Sequence, residues 1–335
     1  MKAIVYDRAG VPADDPASLY EMEVPTPKPG SHDLLVKIQA IAVNPVDAKL
    51  RAAVPPAAPR VLGWDAVGVV EQVGDAVTLF RAGDIVWFAG DITRPGTYAE
   101  YTLVDERIAS LAPSTISPAE AAALPLTAIT AWELLFDRLR IAEGGGDGQS
   151  VLVIGAGGGV GSILVQLAAK LTALTVVGTA SRQETQDWVR GLGAHHVIDH
   201  SLPLQPQLNS AGLTHIDHVI SLTHTEAYYA QIIELLKPQG QFALIDDPAS
   251  LDVLPLKRKS VSLHWEFMFT RSMYRTADMA VQHALLGRVA ALIDEGVLKT
   301  TVGEHLGLIN AANLRRAHAL LESHKARGKL VLEGF

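Results

Sequence analysis

The stretch VLVIGAGGGVGS, residues 151–162, sets a cluster of glycines between an apolar run and an amphipathic one. That arrangement can bind a phosphate. A strand feeds a tight turn, and the next helix opens with unpaired N–H groups and a partial positive charge. Read from Gly155, the dinucleotide pattern G-x-G-x-x-G fails, because Val160 falls on the third glycine. Read from Ala156, it gives Ala156-x-Gly158-x-x-Gly161, with alanine in first place. The backbone of Ala156, Gly157, Gly158, Gly159 and Val160 can then approach a pyrophosphate, and Gly161 lets the helix pack close on the strand. The plain alternative is a glycine-rich turn with no ligand.

The next strand, TVVGTA, ends where an NAD site would place an acid to hold the ribose hydroxyls. The chain has none there and reads Thr179, Ala180, Ser181, Arg182 instead. Hydroxyls and a guanidinium suit a 2′-phosphate, which favours NADPH over NADH. The alternative for Arg182 is a solvated charge at a helix start, where the dipole mildly disfavours it.

A second stretch, RVLGWDAVGVVEQVG (residues 60–74), reads as a core strand with Trp64 and Asp65 at its mouth. Around it, metal ligands are scarce. The chain has no cysteine, so neither a disulfide framework nor a thiolate zinc site can form. The 12 histidines show no helical ligand spacing beside an acid, and no metal site is expected.

These residues need elements to carry them. A chain of 335 residues suggests about two domains. The first 120 or so read as short strands separated by proline and glycine. Ser117 and Pro118 then open a helical stretch, which Pro125 should split in two. Strands and helices alternate from residue 150, with helices expected over 160–171, 184–192 and 226–236. That alternation implies a parallel sheet with crossover helices. Residues 151–169 are uncharged enough to suggest a membrane span, but their glycine-rich middle fits a strand–turn–helix better. A net charge of −8 argues against nucleic acid as a partner. No signal-peptide pattern opens the chain, and the lack of cysteine fits a cytoplasmic location.

With GWDAVGVV, GDIVW, GTYAEY, AAALPLTAITAW and GAGGGVGS in this order, the chain resembles the medium-chain dehydrogenase/reductase superfamily. The likeness is to its zinc-free quinone oxidoreductase (zeta-crystallin-like) branch, and to bacterial proteins labelled zinc-type alcohol dehydrogenase-like. It spans essentially the whole chain. It implies an α/β protein: a GroES-like β-rich catalytic domain over 1–125 and 265–335, and a Rossmann NADP-binding domain over 126–264. In zinc-dependent members a Gly-His-Glu motif supplies a ligand. Trp64 and Asp65 stand there, Asn44 stands at the upstream ligand, and the third falls near Thr127. The pair is thus a former metal site recast as a substrate wall, or else a core tryptophan beside a turn-capping acid.

The resemblance further implies that Asn44 and Asp47 reach the nicotinamide and acceptor end, and that Thr127 and Thr130 line the cleft. It places the nicotinamide amide against the backbone around Phe267 to Phe269, Lys329 near the cofactor, and His200 near the 2′-phosphate. The implied activity is metal-free hydride transfer from NADPH to quinones or α,β-unsaturated carbonyls. An enoyl-thioester or other alkene reductase, and a non-catalytic NADPH-binding protein of crystallin or sensor type, are the alternatives. A homodimer, or a tetramer, is implied, pairing through an edge strand expected at GQFALID.

Overall fold

The computed structural model describes residues 1–335. The chain divides into two units, Met1–Ile129 with Phe269–Phe335, and Thr130–Met268.

The first unit is built on the long strand Asp33–Val43. It pairs antiparallel with Asp65–Val73, with Tyr101–Asp105 and with the C-terminal strand Lys329–Glu333. Against Asp65–Val73 the register shifts twice, with Gln39 the extra residue on this strand and Glu71 the extra residue on its partner. Register then fixes the chemistry. Val43 lies opposite Leu330, and Ala42 opposite Asp65. Asn44, Asp65 and Lys329, far apart in sequence, therefore meet at one end of the sheet. Pro125 does split the helical stretch, into Pro118–Ala122 and Pro125–Trp132. Ser117 caps the first of these, its Oγ accepting the Glu120 N–H at 3.3 Å.

The second unit is a six-stranded parallel sheet. Its spatial order is His196–Ile198, Thr175–Thr179, Ser150–Ile154, Ile216–Ser221, Leu236–Leu244, Ser262–Trp265. This is the doubly wound order 3-2-1-4-5-6, whose switch point lies between the first and fourth strands. Both of those strands are buried along their whole length, as helix-covered parallel strands must be. The helices Gly159–Leu171, Gln183–Gly191 and Thr225–Leu235 lie within a residue of the expected spans. One expectation is corrected. The strand carrying GQFALID is internal, paired on both sides, and Ser262–Trp265 is the edge. The apolar pattern of GQFALID carries no sign of edge position, because its second partner is a strand some twenty residues further along the chain.

Residues 151–169 form a strand, a turn and a helix, and no span of that segment exists. The helical run Pro118–Arg138 is long and apolar enough to cross a membrane by length alone, but 83% of its most apolar window is buried in the fold.

Candidate active site

At the end of the strand Asp33–Val43 the chain turns into the helix Pro45–Ala53, with Asn44 at its N-cap. The Asn44 amide engages two distant residues. Its Nδ2 donates to Asp65 Oδ2 at 2.8 Å, and its Oδ1 accepts from the Lys329 ammonium. Lys329 Nζ also donates to Asp65 Oδ2 at 2.9 Å and to the Val43 carbonyl at 3.1 Å. The other Asp65 oxygen accepts the Leu126 N–H at 2.7 Å, in the first turn of Pro125–Trp132. Asp65 therefore anchors a helix start with one oxygen and an asparagine and a cation with the other. All three side chains are buried: Asp65 fully, Asn44 at 1% exposure and Lys329 at 3%.

Asp47, two residues into the same helix, accepts the Asn44 N–H at 2.8 Å and the Tyr98 hydroxyl at 2.8 Å, both on Oδ2. Its Oδ1 is buried without a partner. Burial pushes the Asp47 carboxyl up to about 7; its hydrogen bonds and Lys329 only partly oppose this. Behind Tyr98 stands His318, buried in the helix Ala311–Glu322. Burial, helped by the Arg51 charge, lowers its imidazole to about 3, so the ring is neutral. Arg51 Nε donates to His318 Nδ1 at 3.2 Å, which leaves the ring proton on Nε2, 3.2 Å from the Tyr98 oxygen. The donors then run one way, from Arg51 through His318 and Tyr98 to Asp47. Nothing local marks Tyr98, in GTYAEY, or His318, in the helix Ala311–Glu322, as partners, because they lie 220 residues apart in the chain.

The three positions that correspond to zinc ligands do not make a zinc site. Trp64 is 1% exposed, packs edge-on against Phe269 with ring centroids 6.0 Å apart, and donates its indole N–H to the Asp91 carbonyl at 3.0 Å. It stands as core, without the open face that a substrate wall needs. The Thr127 hydroxyl donates back to the Leu124 carbonyl at 3.0 Å, just before its own helix begins. At Asn44 the amide oxygen faces a cation already. No sulfur or imidazole is present among the three, and zinc is held by such donors. No three His, Asp or Glu side chains gather as a metal-binding group anywhere in the chain.

In the second unit, Gly155 takes a left-handed conformation, φ +86°, straight after the strand Ser150–Ile154. A Cβ at Gly161 would lie 2.4 Å from the Gly155 carbonyl oxygen, so helix and strand touch backbone to backbone there. A Cβ at Gly158 would meet only that same oxygen, at 3.5 Å. Open space therefore lies beside Gly158, and Gly159 and Val160 after it are half-buried, where the helix begins with N–H groups that lack intrahelical partners. Ala156 is buried, with its methyl against Gly178. Gly157 lies under Thr185 of the next helix. The loop can thus hold a pyrophosphate at Gly158 to Val160, with Ala156 and Gly157 as packing.

Thr179 is corrected. It is buried, and its hydroxyl accepts the Gly155 N–H at 3.1 Å, so it braces the loop and does not reach outward to a phosphate. Ser181 and Arg182 follow it and are exposed, Arg182 at the N-cap of Gln183–Gly191. His200 lies in the turn after His196–Ile198, edge-on to Tyr228 at 6.2 Å between centroids. Thr130 is buried, Phe267 is half-exposed and Phe269 belongs to the first unit beside Trp64. A feature with no sequence signal is the pair Glu133 and Glu266, both buried and served by Arg138, whose Nε donates to Glu266 at 2.6 Å. Burial and the neighbouring Glu133 push Glu266 up to about 9.

Known proteins agree with this architecture. Residues 30–114 match the alcohol dehydrogenase GroES-like domain, and residues 192–332 match the zinc-binding dehydrogenase family. A zinc-type alcohol dehydrogenase-like protein of Staphylococcus aureus (strain MSSA476) is 43% identical over 94% of both chains. The quinone oxidoreductase of Rattus norvegicus is 30% identical over 93% of this chain and 92% of its own. Among solved structures, one named as a zinc-dependent alcohol dehydrogenase protein from Rhizobium etli CFN 42 is 54% identical. It superposes with a TM-score of 0.96 over 100% of this chain and 98% of its own. The mycobacterial protein Rv1454c, solved with NADPH, is 28% identical with a TM-score of 0.84, over 99% and 100%. Two matched domains, full-length relatives and the doubly wound sheet together make this chain an NAD(P)-dependent oxidoreductase of the medium-chain dehydrogenase/reductase superfamily.

Proposed function

We propose that the protein reduces quinones or α,β-unsaturated carbonyls with NADPH and uses no metal. The observation that carries this reading is the cluster at Asn44. Where zinc-dependent members of the family place a ligand, this chain has an amide already engaged by Lys329 and Asp65. Charge developing on an acceptor oxygen must then be met by hydrogen bonds. A conjugated acceptor spreads that charge, whereas an unactivated alkoxide calls for a strong Lewis acid. Bound NADPH supplies the hydride. Asn44, with one amide hydrogen committed to Asp65 and a second remaining, is the donor proposed for the acceptor oxygen. The completing proton comes from water.

Cofactor choice rests on the exposed Ser181 and Arg182 at the end of Thr175–Thr179 and on the missing acid beside them. The NADPH complex of the 28%-identical mycobacterial protein supports it, and the rat relative's name supports the quinone. The reading includes a homodimer and a cytoplasmic setting.

The test is an NADPH-oxidation screen over quinones, enones, enoyl thioesters and aldehydes, run with and without a chelator. Turnover should be greatest with a quinone or enone and indifferent to the chelator. Faster oxidation of simple primary alcohols, or loss of activity to the chelator, would refute the reading.

A further inference from the structure

The geometry points to Lys329 as a built-in cation that fixes the Asn44 amide, a positioning residue for the reaction proposed above, on which this assignment rests. Its nitrogen faces three acceptors: the Val43 carbonyl, Asp65 Oδ2 and Asn44 Oδ1. Three acceptors require three N–H bonds, so the group is an ammonium with every hydrogen spent inside the first unit. At 3% exposure it has no donor left for a cofactor.

The consequence falls on Asn44. A rotated amide would set NH2 against the ammonium and carbonyl against the Asp65 carboxylate, so only one orientation is tolerated. In that orientation Nδ2 faces Asp65 at 2.8 Å. Asp65 cannot follow a moving partner, because the Leu126 N–H holds its other oxygen at 2.7 Å. Asn44 is thereby clamped at both ends of its amide. The cation also draws charge toward Oδ1, which makes the remaining Nδ2 hydrogen a stronger donor. A fixed ammonium thus stands against Asn44, one of the three positions that correspond to zinc ligands, and it polarises the amide there.

This role differs in a measurable way from a cofactor contact. Lys329→Met keeps the aliphatic stem and removes the charge. Lys329→Ala leaves a gap that n-propylammonium can fill. Both should lower kcat by about 100-fold, the scale of one lost charge-stabilising donor, while NADPH Kd stays within about threefold. Removing one partner of a buried pair should also lower the melting temperature of the Ala variant by roughly 10 °C. Added n-propylammonium should raise that temperature saturably and restore kcat at least about tenfold. It should do neither for Lys329→Met, whose stem fills the gap, and tetramethylammonium, with no N–H, should do neither for any variant.

The melting arm needs no turnover. If the wild-type protein reduces no conjugated acceptor, the proposed function fails, while a propylammonium-dependent rise would still support the clamp. Should the Ala variant not fold, the split between kcat and Kd in Lys329→Met decides. Wild-type kcat in Lys329→Met, an NADPH affinity loss as large as the kcat loss, or a folded Ala variant whose melting ignores n-propylammonium would each overturn the assignment.

Discussion

Two buried aspartates share a neighbour, Asn44, and differ in what else they touch. Asp65 has an ammonium and a helix-start N–H in contact with it. Asp47 has two neutral donors on one oxygen and none on the other. Burial therefore dominates at Asp47 and carries it to about 7. An acid raised on folding stabilises the fold below its unfolded value, near 4, and loses that contribution as pH rises to about 7. His318, lowered to about 3, works the other way: stability is lost as pH falls below its unfolded value of about 6.5. Between about pH 4 and 6.5 the two slopes oppose each other, each worth roughly 1.4 kcal/mol per pH unit at most. Asp47→Asn should leave the His318 slope unopposed, so that this variant loses stability on acidification faster than the wild type. Denaturant unfolding at stepped pH reads this directly, and parallel pH profiles for variant and wild type would refute the assignment. At the second site, Arg182→Ala should weaken NADPH by about 1.5–3 kcal/mol, roughly 10- to 150-fold, and leave NADH nearly unchanged. Equal losses for both cofactors would show that Arg182 is structural.

The glycine loop separates two duties at the scale of one element. Gly161 serves the fold, because a methyl there collides with the Gly155 carbonyl. Gly158 serves the ligand, since its backbone is extended, φ −79°, and its Cβ direction is open. Gly161→Ala should cost roughly 1–3 kcal/mol of stability through overpacking. Gly158→Ala should stay within about 0.5 kcal/mol of wild type yet weaken NADPH at least about tenfold, as the methyl enters the phosphate's space. Thermal melting beside cofactor titration tells them apart, and a Gly158→Ala protein that binds NADPH normally would remove that glycine from the site. This loop was legible in the sequence because its meaning is local: strand, turn and helix lie within a dozen residues. The polar cluster was legible only in part. Asn44, Asp65 and Lys329 could be named by resemblance, but their contacts depend on strand register across hundreds of residues. Register along the strand Asp33–Val43 is set by bulges that no local pattern announces. Thr179, expected at the phosphate, braces the Gly155 N–H instead. A hydroxyl at a strand end can point to solvent or back to the neighbouring loop, and only the packed sheet decides.

For the whole molecule the remaining question is what covers the end of the parallel sheet. The strand Ser262–Trp265 pairs on one side only, with Leu236–Leu244. An uncovered edge presents backbone donors and acceptors to any matching strand. Trp265, on this strand, is 53% exposed, and Phe267 just beyond it is 47% exposed. Apolar surface on an unpaired edge suits a twofold contact with a second copy, in which the same strand faces itself. The proposed homodimer is therefore assigned to this strand. The internal strand carrying GQFALID has no free side to offer. Sedimentation at micromolar concentration should give a species of twice the 35.8 kDa chain mass. Trp265→Lys places a charge on the edge, the device by which natural sheets discourage pairing. It should shift the equilibrium at least about tenfold toward monomer while changing melting of the isolated chain little, because the indole is largely exposed. A wild-type monomer at micromolar concentration would rule out the dimer. A dimer that withstands Trp265→Lys would place the contact elsewhere on the surface.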